Sequence, residues 1–305
     1  MNTPTRFATP TRNFTLFNKT RTFSNNTKTN PITTKISKPH TQSLTMSTSQ
    51  TPPPTSHKAT KNLLRSEIQS RLSSLSPQTL TSQSQTAQNI ILHSPQYQSA
   101  TRIGIYLSMP HSEAGTDLLV RDALSKTSDE TDKKVFVPYV YSVKNEDESS
   151  KKRTMKVMDM LRLETVEEYQ GLERDGWGIP VLGEEGIGER ENAMGGRGLA
   201  LRGDSGEGEG EGREEEEDEE KEGGFLDLIV VPAVAFDREL NRLGHGAGFY
   251  DRFLTRNFGD GKNGQKPYLF GLCLAEQIVP DGKLVMEPWD WRVDAVAVGD
   301  GTLLT

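Results

Sequence analysis

Residues 242–252 read RLGHGAGFYDR, with Gly244, Gly246 and Gly248 at every second position. Glycines so spaced let backbone N–H groups turn toward one point, as an anion-binding nest does. A helix expected over 249–258 would add the positive end of its dipole. Together they suit a phosphate chain, and Asp251 near the helix start could reach a metal ion bound to it. A bare GxGxG equally suits a tight loop between strand and helix. The spacing is not the GxGxxG of a dinucleotide fingerprint, it lies late in the chain, and no GxxxxGK[ST] occurs anywhere. Lys61 and Arg65 stand four residues apart and share one face if their segment is helical.

The elements that must position these residues follow from hydrophobic periodicity. Leu63, Leu64, Ile68 and Leu72 fall at helical spacing, predicting an amphipathic helix over 59–75. A second helix is expected over 79–93, after SPQT, and a third over 113–126. RIGIYLSM (102–109), KKVFVPYV (133–140), MDMLRLE (158–164), PYLFGLCLAE (267–276) and VDAVAVG (293–299) have strand length. FLDLIVVPAVAFD (225–237) is the longest apolar run, as in a strand buried on both faces. Strands alternate with helices, which predicts a single α/β domain, a three-layer Rossmann-like sandwich around a mostly parallel sheet.

Two segments stand outside this pattern. Residues 1–57 carry 7 basic and no acidic side chains among abundant Thr and Ser. That composition fits a mitochondrial transit peptide, or a disordered polar tail, with Met46 as a candidate internal start. Localisation is therefore read as mitochondrial, cytoplasmic or both. Residues 183–224 hold 16 acidic and 5 basic side chains and many glycines. They are expected to form a disordered surface insertion, since they cannot bury enough apolar surface to offset ordering entropy; an acidic interaction segment is the alternative. Setting aside the +7 and −11 of these segments from the chain's −7 leaves a body of −3. Nothing in that balance forms a basic stripe for nucleic acid. No apolar run approaches the ~20 residues that span a bilayer. Cys273, the only cysteine, excludes an intrachain disulfide and fits a small buried hydrophobe in a reducing compartment.

NRLGHGAGFYD resembles the signature loop of the 5-formyltetrahydrofolate cyclo-ligases. K-x-x-x-R at 61–65, YLSMPHSEAGT (106–116), VPYV (137–140), WGIP (177–180), LDLIVVPAVAFD (226–237), LAEQIV (274–279) and VDAV (293–296) resemble further landmarks of that family in order. The resemblance covers roughly 60–300 apart from the insertion. It implies a monomeric enzyme that closes 5-formyltetrahydrofolate to 5,10-methenyltetrahydrofolate with ATP and Mg²⁺, acting on small molecules. It implies that Lys61, Arg65 and Arg242 bind ATP phosphates with the loop Gly244, His245, Gly246, Ala247, Gly248, Phe249 and Tyr250; Arg242 could instead pair with Asp237. The loop would also touch the formyl group through His245, Gly246, Gly248 and Phe249. Glu113 would hold the pterin, with Leu107, Met109, Tyr139 and Trp177 lining its pocket or simply packing. Asp251 and Asp294 would be carboxylates linked to Mg²⁺, with a helix-start charge and a strand-end cap as their plainer readings. The family pattern often carries Lys or Arg inside the loop, where this chain has His245 and Ala247, and Tyr where it has Phe249. A non-catalytic folate- or nucleotide-binding module, or a related α/β acyl transferase or isomerase, are the alternatives. ATP-dependent turnover of 5-formyltetrahydrofolate separates them.

Overall fold

The computed structural model describes residues 56–110, 112–125, 133–145, 153–201, 224–259 and 266–305. Residues 1–55 of the expected leader lie outside them. Ser56, assigned to that leader, instead caps the first helix by accepting the Ala59 N–H at 3.4 Å.

The helices are α1 (His57–Ser73), α2 (Pro77–Leu92), α3 (Pro95–Ser99), α4 (Asp117–Leu124), α5 (Val166–Gly171) and α6 (Phe249–Phe258). The strands are β1 (Arg102–Ile105), β2 (Lys134–Lys144), β3 (Thr154–Leu163), β4 (Glu173–Arg174), β5 (Pro180–Val181), β6 (Leu228–Val231), β7 (Ala235–Phe236), β8 (Arg242–Leu243), β9 (Tyr268–Cys273), β10 (Ala295–Val298) and β11 (Leu303–Leu304). The main sheet has seven strands in the order β11-β10-β9-β6-β1-β2-β3. Four of its pairings are parallel; β3 and β11 are antiparallel edges.

Period-two alternation in the central strands builds the layers. Ile103, Ile105, Leu228, Val230, Ala295 and Ala297 face one core with Leu64, Ile68, Ile91 and Leu119 from α1, α2 and α4. Ile229, Val231, Val296 and Val298 face the other with Phe253, Leu254 and Phe258 from α6. Both faces are covered, as a parallel sheet requires, and the architecture is the three-layer α/β sandwich predicted.

Local departures have local causes. The 225–237 run is two strands, because Pro232 has no N–H for a ladder and the chain turns into the β7–β8 hairpin, where Val234 N donates to Leu243 O at 2.7 Å. The helix predicted from residue 113 starts at Asp117, because Glu113 turns back to accept the Met109 N–H at 2.7 Å. The disorder expected from residue 183 does not begin there. Residues 183–201 are ordered along the free edge of β3. Ala193 N donates to Met160 O at 2.9 Å, and Glu191 pairs with Arg102 and Lys134 at 2.5 and 3.2 Å. The glycines there supply turns, with Gly195 at φ 90°, while Ile187 and Ala193 bury their side chains. The disorder expected for the rest falls on residues 202–223, outside the described residues.

Gly271 in β9 shows how closely these layers meet: a Cβ there would lie 2.8 Å from the Phe236 ring. Gly271→Ala is expected to cost about 1–3 kcal/mol through overpacking, read as a lowered urea midpoint; an unchanged midpoint refutes the tight approach.

Candidate functional site

The strand order reverses between β1 and β6: the chain runs outward from β1 to β2 and β3, then returns to β6 and runs outward through β9 and β10. Open α/β sheets take ligands in the crevice outside the carboxyl ends at such a switch. Here the loop after β1 carries Glu113 and the hairpin after β6 delivers the glycine turn.

The hairpin is built by Asp237, fully buried, whose carboxylate accepts the N–H of Glu239 and Asn241 at 3.0 and 2.9 Å and the Asn241 amide at 2.9 Å. Those bonds hold Leu240 at φ 64°, a left-handed conformation rare for a branched side chain. Asp237 is thus occupied by its own turn, and the alternative pairing with Arg242 is not formed. Arg242 instead pairs with Asp251, across the glycine turn.

Gly246 (φ 101°) and Gly248 (φ 66°) give the turn its shape, and Gly248 leads into α6 with no side-chain cap. A different guanidinium abuts each glycine. Cβ atoms placed on Gly244, Gly246 and Gly248 would meet Arg242, Arg65 and Arg252 at 3.3, 3.3 and 3.1 Å. The turn therefore has its positive charge supplied from β8, α1 and α6, and none from within. Desolvation first, then Arg65 and Arg242, lowers the His245 pKa from the ordinary imidazole value.

This turn lines a cavity of about 870 Å³. Lys61, Arg65, Arg242, Gly244 to Phe249 and Asp251 all face it, so most of the residues expected at a phosphate site come together. Lys61 pairs with Asp290 at 2.6 Å, and Arg65 Nε donates to Gly244 O at 2.8 Å. Burial lowers the Arg65 pKa and Asp290 opposes the effect. The lining also includes apolar residues, Met155, Val157 and Met158 of β3 and Leu201.

The residues expected around a pterin are placed differently. Leu107, Met109, Glu113, Tyr139 and Trp177 are not among the cavity's lining residues, and neither is Tyr250, which was expected with the ATP loop. Leu107 is core, Tyr139 stacks on Tyr141 with centroids 6.4 Å apart, and Trp177 is 78% exposed on the turn between β4 and β5. Glu113 is buried beside Tyr106 and Tyr250. Burial pushes its carboxyl up to about 7 against the Met109 hydrogen bond. The Tyr250 hydroxyl is buried with no hydrogen-bond partner among the described residues, and burial followed by the Glu113 charge raises its pKa. Tyr250 directly follows Phe249, so this polar group lies one residue from the cavity wall.

The two expected metal carboxylates are not brought together. Asp251 lines the cavity; its Oδ1 accepts from Arg242 and from Trp291 N at 3.1 Å, and its Oδ2 accepts no hydrogen bond from the described residues. Asp294 is not in the lining. It accepts from Leu269 N at 2.8 Å and Lys266 at 2.8 and 3.0 Å, which is a strand-start tie. Among the described residues no three His, Cys, Asp or Glu form a cluster able to hold a metal ion. Asp251, with an open oxygen beside the guanidinium-ringed turn, has the donor chemistry that suits a hard cation able to complete its shell with other oxygen ligands; Asp294 does not. Sequence reasoning gave no role to the EPWDWR loop, whose Glu287, Trp289 and Asp290 also line the cavity. A cavity wall made by a loop without regular structure leaves no periodicity to find; the one signal was a large aromatic among acids.

A glycine turn at the strand-order reversal, ringed by guanidinium groups, is the ligand end of an open-sheet α/β protein. The profile of the 5-formyltetrahydrofolate cyclo-ligase family matches residues 57–195 and 202–299. A mouse 5-formyltetrahydrofolate cyclo-ligase is 31% identical over 241 residues, 79% of this chain and 94% of the mouse protein. An Arabidopsis thaliana protein named mitochondrial 5-formyltetrahydrofolate cyclo-ligase is 25% identical over 246 residues, 80% of this chain and 75% of its own. The NMR structure of an Aquifex aeolicus 5,10-methenyltetrahydrofolate synthetase aligns at a TM-score of 0.48 and 21% identity, covering 78% of this chain and 89% of that one. The chain belongs to the 5-formyltetrahydrofolate cyclo-ligase family.

Proposed function

We propose that this chain closes 5-formyltetrahydrofolate to 5,10-methenyltetrahydrofolate with ATP, releasing ADP and phosphate. The observation that carries the reading is the guanidinium-ringed glycine turn, which opens on a large cavity and lies one residue from the buried Glu113–Tyr250 group. A triphosphate fits the turn by charge and by exposed backbone N–H groups. The formyl oxygen attacks the γ-phosphorus and the bond to the ADP oxygen breaks. N10 then adds to the activated carbon, phosphate leaves with the former formyl oxygen, and N10 loses its proton as the C–N double bond forms. In such a reaction the protein supplies positioning and charge neutralisation.

The residues divide that work. Arg65, Arg242 and the backbone of Gly244 to Gly248 hold the phosphates. Lys61 joins them by exchanging Asp290 for a phosphate oxygen. Glu113 accepts hydrogen bonds from the pterin's N–H groups, and the unpartnered Tyr250 hydroxyl is a second polar contact there. This requires the wall at Phe249–Tyr250 to admit the pterin, so the folate pocket opens with its ligand. Mg²⁺, bound through Asp251 and phosphate oxygens, would neutralise charge on the transferred group; Asp294 has no place in that set. The N-terminal composition and the mitochondrial name of the Arabidopsis relative support a mitochondrial leader.

The test is methenyltetrahydrofolate absorbance growing from 5-formyltetrahydrofolate with purified chain. Growth that requires both ATP and Mg²⁺ is expected. No growth, or growth without ATP, rejects the proposal.

A further inference from the structure

We infer that Arg252 meets the nucleotide's phosphates with a guanidinium kept free for them, an assignment that rests on the ATP reading above. Apart from Lys58, the other Lys and Arg side chains of the cavity already have partners. Lys61 holds Asp290 at 2.6 Å, and Arg65 holds Gly244 O and Asn62 Oδ1 at 2.8 and 2.7 Å. Arg242 is paired with Asp251, and Arg256 with Asp159 and with Met158 O at 2.9 Å. Arg252 lines the cavity and, among the described residues, makes no ion pair or hydrogen bond.

Lys58 shares that freedom but is exposed on the first turn of α1 with nothing to hold it. Arg252 is placed. Its guanidinium carbon lies 5.4 Å from the centre of the Phe249 ring. Its Nη1 is 3.1 Å from where a Cβ on Gly248 would stand, so the missing side chain of Gly248 gives the guanidinium its seat at the end of the turn. Residues 243–251 contain no Lys or Arg, and His245 is held toward neutrality. A planar fork with unspent donors, stacked on an aromatic ring, is suited to bidentate contact with phosphate oxygens in a way an ammonium is not.

The experiment titrates MgATP calorimetrically into the intact chain and its R252M and R252K variants, with melting curves for each. Loss of one charge-assisted contact predicts a Kd for R252M about 10–100-fold weaker, with R252K between it and wild type. In turnover, KM for ATP is expected to rise by more than kcat falls. Arg252 is exposed on α6, so its melting midpoint should not move. A Kd for R252M within about twofold of wild type overturns the assignment, as does equal weakening in both variants with a lowered midpoint. If the wild-type chain binds no MgATP, the ATP reading itself falls, and Arg252's role falls with it.

Discussion

Glu113→Gln is expected to yield a chain that is more stable than wild type above pH 7 and much less efficient in turnover. Burial raises the Glu113 carboxyl from 4.5 to about 7. A folded-state value above the unfolded one means that the native state holds its proton longer. Stability from this group is fully present below about 4.5 and is lost as pH rises through about 7. At ~1.4 kcal/mol per unit, the ionised carboxylate burdens the fold by about 3 kcal/mol at pH 8. Glutamine keeps an oxygen for the Met109 N–H and cannot ionise, so E113Q should gain roughly that amount at pH 8 and little at pH 4.5. Urea midpoints at the two pH values check this; equal pH slopes in the two proteins would show that Glu113 is not the source. The same carboxylate, in the proposed function, accepts the pterin's N–H groups. An amide opposes them with its own donors, so kcat/KM should fall roughly 10²-fold or more. In wild type, KM for the folate should fall as pH rises through about 7, when the carboxylate forms.

What was legible in the sequence is what leaves a local pattern, and what was not depends on contacts between residues distant along the chain. The glycine turn was legible because three glycines in alternation announce a backbone conformation, and Gly246 and Gly248 do take positive φ. The central strands were legible because burial on both faces leaves unbroken apolar runs, as in Leu228–Val231. The edges were less so. Residues 183–201 read as part of an acidic insertion, yet they are held by ion pairs from Glu191 to Arg102 and Lys134, residues distant in sequence. Asp294 sits in a family-like motif, but only the fold reveals Lys266 and Leu269 N closing around it. The second helix was found by its start signal, although Ser84 and Gln88 on its buried face are polar. They are buried to bond Gly115 N and Leu119 N at 2.9 and 3.1 Å, which fixes the loop that carries Glu113. Polar residues spent on positioning a loop have no periodic signature.

Asp251 carries two duties that its substitutions separate. Its carboxylate faces Arg242, whose side chain is only 4% exposed, and it accepts the Trp291 N–H that ties the 287–291 loop to α6. Asp251→Ala leaves that guanidinium buried without its counter-charge, and the expected cost is about 3–5 kcal/mol, with turnover abolished. Lost turnover in that variant alone says nothing of a metal, since the cavity wall is damaged with it. Asp251→Asn is the discriminating change. Its amide oxygen still accepts from Arg242 and Trp291, so the fold should lose no more than about 1–3 kcal/mol. It lacks the anionic oxygen that a hard cation needs, while Asp294, tied to Lys266, is not positioned to replace it. The D251N variant should therefore melt as a folded protein, bind ATP without Mg²⁺ as wild type does, and lose the tightening of ATP binding that Mg²⁺ brings, together with at least ~10²-fold of turnover. Full turnover in D251N, or undiminished tightening by Mg²⁺, would remove the metal from Asp251 and leave this carboxylate the structural partner of Arg242.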